Sequence, residues 1–384
     1  MTDLLDPLRS LNEGHWFKLI CGASFQHLPA VRSLTLAYTL AGADCIDVAA
    51  DPSVIAAAQE ALRVAAHLAT DANVRGFGNK GALPLLMVSL NDGEDPHFRK
   101  AEFNSTQCPA DCSRPCERIC PAQAIVFNAQ PKNISGVISQ KCYGCGRCLP
   151  ICPYEIIYTR SYVSTPGAIA PLILSTGVDA VEIHTKVGRL AEFKRLWQAI
   201  LPWIKRLKLV AISCPDDEGI IDYLRSLYDA IAPLKIPLIW QTDGRPMSGD
   251  IGDGSTLAAV KLGQKVLAAS LPGYIQLAGG TNSYTVAKLK AMGLLKRTGE
   301  PQENIDSSFT PQYPDTSSSP FISGVAYGSF ARVLLSPIID ELETREVNYT
   351  NDKATTRLEE EPELLWQAVQ LAHSLVSQLK SQQQ

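Results

Sequence analysis

Eight of the eleven cysteines fall between residues 108 and 152, and this cluster constrains the chain more than any other feature. The N-terminus carries Asp3 and Asp6 and lacks the basic start and small-residue cleavage site of a signal peptide, so we expect a cytoplasmic protein. Thiols stay reduced in that compartment, and structural disulfides therefore do not explain the cluster. Closely spaced cysteines in a reducing compartment indicate bound metal.

The second half of the cluster reads Cys142-Tyr-Gly-Cys145-Gly-Arg-Cys148-Leu-Pro-Ile-Cys152-Pro153. This is the CxxCxxCxxxCP run of bacterial-type ferredoxins, in which short spacers bring three thiolates to one iron–sulfur cluster. In two-cluster ferredoxins the fourth cysteine of each run binds the other cluster, so a second Cys-Pro pair is required. Cys120-Pro121 supplies that pair. The pattern predicts a two-cluster ferredoxin module.

The interlocking of the two runs assigns the ligands. A [4Fe-4S] cluster is predicted at Cys120, Cys142, Cys145 and Cys148, and a second cluster at Cys108, Cys112, Cys116 and Cys152. The first run is looser than in ferredoxins, because three residues separate its successive cysteines, so the second cluster is either [4Fe-4S] or [3Fe-4S]. Zinc is the alternative, although zinc sites do not require two interlocked Cys-Pro runs.

Outside residues 104–160, eight apolar runs alternate with helical stretches. The predicted strands are Phe17–Ser24, Cys45–Ala50, Leu83–Leu90, Val178–Thr185, Leu207–Cys214, Pro237–Thr242, Tyr274–Ala278 and Phe321–Tyr327. Eight strands with crossover helices predict the α/β class, as a TIM-like (β/α)8 barrel with the α+β ferredoxin module inserted after the third strand. A doubly wound open sheet is the alternative.

This fold divides the chain into four segments. Residues 1–103 form the first part of the barrel, 104–160 the iron–sulfur insertion, 161–347 the rest of the barrel, and 348–384 a linker and C-terminal helix. Residues 298–320 are predicted to form a loop that covers the barrel mouth, since they are rich in proline and serine.

Loops that follow barrel strands gather at the C-terminal face, where the active sites of barrels form. Candidate residues at these positions are Asn91, Asp92, His184, Lys186, Asp216, Asp217, Asp243 and Arg245, with solvated loop or helix-cap roles as the alternative. Glycine-rich turns after the last two strands predict a site for a flavin phosphate or another phosphate-bearing ligand, although tight turns also need glycine. Its predicted residues are Gly279, Gly280, Thr281, Gly328 and Ser329. No catalytic residue is identified.

Charge argues against a nucleic-acid partner, and hydropathy argues against a membrane-spanning protein. With 35 basic and 39 acidic residues the net charge is −4, which gives no electrostatic basis for binding nucleic acid. The sequence has no apolar run long enough to span a membrane.

The run CPADCSRPCERICP, followed by CYGCGRCLPICP, occurs in a chain that also contains FKLICGASFQHLPAVRSLTLAYTLAGADCIDVAADP and DAVEIHTKVGR. Together these segments resemble the light-dependent period A family of cyanobacteria over nearly the whole chain. The resemblance implies an iron–sulfur redox sensor that passes light-dependent redox state to the circadian clock. It implies clock proteins and an input histidine kinase as partners, and it assigns the eight clustered cysteines to cluster binding.

The rival hypothesis is an enzyme. A TIM-barrel oxidoreductase, possibly flavin-dependent, would use the two iron–sulfur clusters as an electron relay, with ferredoxin or a quinone as electron partner. A plain electron carrier fits less well, because residues 104–160 alone would suffice for that role.

Overall fold

The computed structural model describes most of the barrel, the core of the insertion and the C-terminal helix. The described residues are 7–22, 28–78, 82–93, 99–120, 123–127, 136–139, 141–142, 148–161, 166–244, 255–296, 320–348 and 357–380. The predicted lid, residues 298–320, lies outside this part of the chain except for Pro320.

Eight parallel strands close into a barrel, which confirms the predicted fold. They are β1 (Trp16–Gly22), β2 (Cys45–Ala49), β3 (Leu85–Asn91), β8 (Ala180–His184), β9 (Leu209–Pro215), β10 (Leu238–Asp243), β11 (Tyr274–Ala278) and β12 (Gly324–Tyr327), with β4 to β7 in the insertion. They follow one another around the barrel in chain order, and β12 pairs with β1 to close it. Residues of both parities are buried along these strands, as parallel strands covered by helices require.

Seven of the eight strands differ from their predicted bounds by a residue or more, and the largest difference, three residues, is at the start of the last strand. The last strand begins at Gly324 rather than Phe321, because the Ile322 amide donates to the Leu294 carbonyl, in the segment after the preceding helix. Glycine is needed at 324, since a Cβ there would lie 2.3 Å from the backbone oxygen of Trp16 on the neighbouring strand.

The helices surround the barrel. They are α2 (Leu28–Ala41), α3 (Pro52–Val74), α6 (Pro166–Leu174), α7 (Leu190–Ile200), α8 (Ile220–Ile231), α9 (Ser255–Ala268), α10 (Thr285–Ala291) and α11 (Ser329–Asn348). The start of α3 shows how the sequence sets a helix end. Asp51 caps it by accepting the Ser53 amide at 2.8 Å, and Pro52 occupies the first turn, where a missing N–H costs nothing.

A short helix, α1 (Pro7–Glu13), packs across the N-terminal end of the barrel. Its Leu8 and Leu11 belong to an apolar cluster with Trp16, Tyr274 and other residues that begin the strands. This end of the barrel, the floor, is therefore filled by side chains.

The C-terminal helix, α12 (Pro362–Lys380), packs on α2 and α11. Its apolar stripe, formed by Leu365, Ala368, Ala372, Leu375 and Leu379, is buried there. At its last residue the Lys380 ammonium donates to both carboxylate oxygens of Asp44 at 2.6 Å and to the Ser10 hydroxyl at 2.8 Å. The helix is thus anchored to the floor.

The insertion lies between β3 and α6 and has a small core of its own. Strand β4 (Arg99–Glu102) pairs antiparallel with β7 (Tyr158–Ser161), and β5 (Ile125–Val126) pairs antiparallel with β6 (Gly136–Val137). Two short helices, α4 (Pro115–Ile119) and α5 (Cys148–Ile151), carry cysteines into that core. Among the described helices, none combines the length and hydropathy needed to cross a membrane.

Replacing Lys380 by methionine should destabilise the protein by about 3 kcal/mol, because Asp44, whose side chain is fully buried, would lose its cation. Denaturant unfolding with matched m-values measures the change. Lys265→Met is the control, since Lys265 and Asp216 form an exposed pair that should contribute less than about 1 kcal/mol. Equal effects of the two substitutions would contradict the anchoring role of Lys380.

Candidate metal centre and barrel interior

Four of the predicted ligands lie close together in the insertion. Cys108 and Cys112 share a side-chain hydrogen bond, and the charge of Cys152 acts on both Cys108 and Cys116. Cys116 sits on α4 and Cys152 directly follows α5, so the two helices carry thiols toward the same point. The four cysteines predicted for the second cluster are thus near enough to influence one another's charge, and their role as cluster ligands stays a prediction.

The electrostatics of these thiols suit a shared cationic cluster. Burial and, next in size, the neighbouring Cys152 raise the pKa of Cys116 to about 11. Burial and Cys112 likewise raise the pKa of Cys108. The thiolates repel one another, so iron ions that supply positive charge among them would favour their ionisation. The donor set fits an iron–sulfur cluster.

The other predicted group is described in part. Cys142 and Cys148 are buried in the insertion core, and Cys120 packs against it, while Cys145 lies outside the described residues. The Ala101 amide donates to the Cys142 sulfur at 3.3 Å, and the Ala124 amide donates to the Cys120 sulfur at 3.2 Å. Amide donors favour the thiolate form that binds metal. Within the described ranges, no three His, Cys, Asp or Glu side chains converge as a site for a single metal ion.

Polar contacts attach the insertion to the barrel at the end of β2. The Lys100 ammonium donates to the Ser139 carbonyl at 2.6 Å and lies 3.8 Å from the Asp51 carboxylate. The Ser53 hydroxyl donates to the Lys141 carbonyl at 3.3 Å. Lys100 precedes Ala101 and Lys141 precedes Cys142, so the contact with α3 is one residue from a predicted cluster ligand.

A buried ionic cluster occupies the middle of the barrel. The Lys18 ammonium on β1 lies 3.0 Å from the Asp47 carboxylate on β2, and it also pairs with Glu182 on β8. It donates to the Gln241 amide oxygen at 3.0 Å as well. Burial would lower the pKa of Lys18, but Asp47 and Glu182 raise it above its usual value. Lys18 is therefore charged.

The two carboxylates respond differently to the same surroundings. Burial, with a smaller contribution from the nearby Glu182, raises the pKa of Asp47 to about 6 against the opposing charge of Lys18. Burial also acts to raise the pKa of Glu182, but Lys18 and then His184 hold it below the usual value. The pKa of Asp47 is therefore shifted upward and that of Glu182 downward, although both contact the same lysine.

Hydrogen bonds extend this cluster toward both ends of the barrel. Toward the floor, the Gln276 side-chain N–H donates to the Gln241 amide oxygen at 2.6 Å. The Gln276 amide oxygen in turn accepts the Trp16 indole N–H at 2.7 Å. Toward the mouth, the C-terminal end of the barrel, Glu182 contacts His184 at 3.1 Å and accepts the Gln241 amide at 2.7 Å. Asp243 accepts the Ser213 hydroxyl. We call this set the barrel network: Trp16, Lys18, Asp47, Ser89, Glu182, His184, Ser213, Gln241, Asp243 and Gln276.

Some of the candidates predicted at the strand ends belong to this network, and others lie outside it. His184 and Asp243 belong to the network, and Asn91 aligns with His184 in the strand register. Asp92 is buried against Thr185 and Arg189, and Asp216 pairs with Lys265 on the surface. The other carboxylate of that loop, Asp217, is exposed, as is Lys186. Arg245 lies outside the described residues.

Sequence reasoning missed Lys18, Asp47 and Glu182, because it looked for polar residues only where strands end. The signal was a charged residue between apolar neighbours inside a strand, as in Phe17-Lys18-Leu19 and Val181-Glu182-Ile183. Alternation along a barrel strand sends such a residue inward. A charge at that position is unusual, since bulky apolar side chains normally fill barrel interiors.

The glycine turns predicted to bind phosphate follow neighbouring strands. Gly279 and Gly280 have φ values of 63° and 101°, so the turn itself requires glycine. The Thr281 hydroxyl donates to the Ala326 carbonyl at 2.6 Å, so its hydrogen is already bonded within the barrel. After β12, Gly328 and Ser329 lead into α11, whose Arg332 donates to the Ile20 carbonyl at 3.0 Å. Phosphate binding at these turns stays a prediction.

The fold and the cysteine-bearing insertion define a (β/α)8-barrel protein with an inserted iron–sulfur cluster-binding domain. Residues 172–378 match the family described as the light dependent period A C-terminal domain, and residues 108–163 match its Fe-S cluster-binding domain. A relative from Synechococcus elongatus, described as "Light dependent period A", is 46% identical over 374 residues, covering 97% of this chain and 94% of the relative. The chain belongs to the light dependent period A family.

Solved structures show a distant likeness. The (S)-3-O-geranylgeranylglyceryl phosphate synthase of Thermoplasma acidophilum, in complex with sn-glycerol-1-phosphate, aligns over 99% of both chains at 11% identity, with a TM-score of 0.37. The wild-type enzyme of Thermoplasma volcanium, GGGPS, aligns over 99% of this chain and 98% of its own at 9% identity, with a TM-score of 0.39.

Lys18→Met should destabilise the protein by about 3–5 kcal/mol, because it leaves two buried carboxylates without their cation. Denaturant unfolding measures the loss. Lys208→Met is a matched control, since Lys208 pairs with Asp179 at the surface and its removal should cost less than about 1 kcal/mol. A Lys18 variant as stable as the control would show that the buried ions do not hold the strands together.

Proposed function

We propose that this protein is an iron–sulfur redox sensor that passes light-dependent cellular redox state to the circadian clock. The observation that carries the proposal is the match of residues 108–163 to an Fe-S cluster-binding domain, whose cysteines Cys108, Cys112, Cys116 and Cys152 influence one another's charge and which polar contacts attach to the barrel. Membership of the light dependent period A family supports it. When bound, an iron–sulfur cluster supplies a charge that changes by one electron within the potential range of the cell.

We assign two clusters to the insertion. Cys120, Cys142, Cys145 and Cys148 would hold a [4Fe-4S] cluster, and the other four cysteines a [4Fe-4S] or [3Fe-4S] cluster. The amide donors to the Cys120 and Cys142 sulfurs support thiolate ligation at the first site. Crossed ligation by the two runs would place both clusters within one small core, so reduction of either would affect the same contacts.

The contact between the insertion and α3 is suited to transmit the redox state. Lys100 lies between the Ser139 carbonyl and the Asp51 carboxylate that caps α3, next to the Ala101 amide on the Cys142 sulfur. An added negative charge near Cys142 would attract Lys100 and weaken its attraction to Asp51. The start of α3 and the contact between Ser53 and Lys141 would loosen in response.

The partners in this proposal are clock proteins and an input histidine kinase, with ferredoxin or a quinone as the source of electrons. The partners that read the signal would recognise the surface that changes on reduction, and that surface includes the contact between the insertion and α3.

A second candidate function is a barrel oxidoreductase, which the barrel network favours. A protein that used its barrel only as a scaffold would not need Lys18, Asp47 and Glu182 inside it, because buried ions contribute less to stability than apolar packing of the same volume. In this alternative a flavin or small substrate binds at the mouth, with the glycine turns holding a phosphate.

Anaerobic purification followed by iron and sulfide quantitation, electron paramagnetic resonance with and without dithionite, and a visible spectrum of released cofactor tests both candidates. Roughly eight irons without released flavin supports the two-cluster sensor. Released flavin supports the oxidoreductase. Zinc in place of iron would contradict both.

Cys152→Ser should remove about half of the bound iron, because Cys152 is assigned to one cluster only. Iron and sulfide analysis of the anaerobically purified variant measures the loss. Cys214→Ser is the matched control: Cys214 is also buried but lies on barrel strand β9, so its variant should keep the wild-type iron content. Full iron content in the Cys152 variant would contradict the assignment.

Hydrogen exchange should differ between the oxidised and reduced proteins at the first turns of α3 and at β4, where Asp51 and Lys100 meet. Reduction should speed exchange there, since the added charge weakens the ion pair, and leave the floor helix α1 unchanged. Mass spectrometry of peptides from both states measures the rates. Lys100→Met should abolish the difference. Identical patterns in the two wild-type states would contradict transmission through this contact.

A further inference from the structure

Arg114 has an unusual backbone conformation beside the thiols predicted for the second cluster. It is the N-cap residue of α4, two residues after Cys112 and two before Cys116, and its side chain makes no capping hydrogen bond. Its φ and ψ angles, 53° and 51°, lie in the left-handed region, which glycine adopts readily and arginine rarely does. A conformation that is unfavourable for the residue present points to a function for its side chain.

The left-handed turn aims the Arg114 amide at a predicted ligand. This N–H donates to the Cys112 sulfur at 3.4 Å, and an amide donor favours the thiolate form of the sulfur. Glycine in the same conformation would supply the same amide at a lower conformational cost. The contact therefore explains the turn but not the arginine.

An aromatic contact holds the guanidinium of Arg114 over the insertion core. Its central carbon, Cζ, lies 4.5 Å from the centroid of the Phe127 ring, and that ring packs on Phe103 with 5.7 Å between centroids. Both rings belong to the same core as Cys116 and Cys152. Arg114 is half-buried, so its charge lies beside the thiols of this core and is only partly screened by water.

The charge of Arg114 acts on these thiols. Burial raises the pKa of Cys108, with Cys112 as the next cause, and the guanidinium opposes both by favouring the thiolate. In the part of the chain that the structure describes, no carboxylate forms an ion pair with Arg114, and Glu117 on the same helix instead accepts the Phe127 amide at 3.3 Å. An arginine stays protonated in proteins, so this positive charge is permanent.

A permanent positive charge beside a cluster favours its reduced form, because reduction adds one electron and hence one negative charge. We infer that Arg114 sets the reduction potential of the cluster assigned to Cys108, Cys112, Cys116 and Cys152, and that its guanidinium raises this potential without forming a bond to the cluster. The inference rests on the proposed sensor function and deepens it, since the potential decides which cellular redox state the protein reports.

Redox titration of the anaerobically purified, cluster-loaded protein, followed by electron paramagnetic resonance, tests the inference. Dithionite supplies one electron to each cluster, and the signal that Cys152→Ser loses identifies the cluster in question. At a fixed potential, Arg114→Gln should lower the ratio of reduced to oxidised cluster about tenfold, which corresponds to a potential lower by about 59 mV for one electron.

Three further variants separate the charge of the side chain from its packing. Arg114→Lys keeps the charge and should restore at least half of the shift. Arg114→Gly suits the left-handed backbone and keeps the amide but lacks the charge, so it should shift the ratio as Gln does. It also provides the test if the Gln variant does not bind its clusters. Arg118→Gln is the matched control, because Arg118 is an exposed arginine of the same helix, and its variant should keep the wild-type ratio.

Three results would each overturn the inference: a wild-type ratio in the cluster-loaded Gln or Gly variant, a Lys variant shifted as far as the Gln variant, or an equal shift in the Arg118 control. Failure of the sensor function itself looks different. It appears in the wild type, before any substitution, as protein without iron or without a signal that dithionite changes.

Discussion

Lys18 is the residue on which the interior of the barrel depends. One ammonium group, fully removed from water, pairs with carboxylates on β2 and β8 and donates to Gln241 on β10. These strands lie on different sides of the barrel, so the contacts cross its interior as well as running between neighbouring strands. Desolvation of these charges is costly, and the cost is offset only while every partner stays in place. The charge states of Lys18 and its carboxylate partners therefore depend on the positions of the strands that carry them.

Strand β2 and the residues directly after it connect this interior to the insertion. Asp47 lies within β2 and receives the Ser89 hydroxyl at 2.8 Å, while Asp51, four residues later, caps α3 and faces Lys100. The buried lysine and the cluster-binding core are thus joined through one short segment of backbone. A displacement of Asp51 on reduction would act on a strand whose inner face carries part of the barrel network. The cluster-binding core and the barrel network need not share a residue in order to influence each other.

Much of this architecture was predictable from local pattern. Cysteine spacing identified the cluster-binding insertion, and apolar runs separated by helices identified the eight strands, because both signals lie in contiguous sequence. The barrel network was predictable only at its mouth, through His184 and Asp243. Its buried members, such as Lys18 and Glu182, are 164 residues apart in the chain and meet only after the barrel closes. The boundary at Gly324 escaped prediction for a similar reason, since an amide contact with a distant carbonyl decides it.

The meeting of Lys380 with Ser10 and Asp44 places both ends of the described chain at the floor, opposite the mouth. A label attached to an exposed side chain of α1 would therefore lie at the end of the barrel opposite His184 and Asp243. Molecules immobilised through such a label would present the mouth to solution. The chain is in this respect well suited to surface-based measurement of what approaches the mouth.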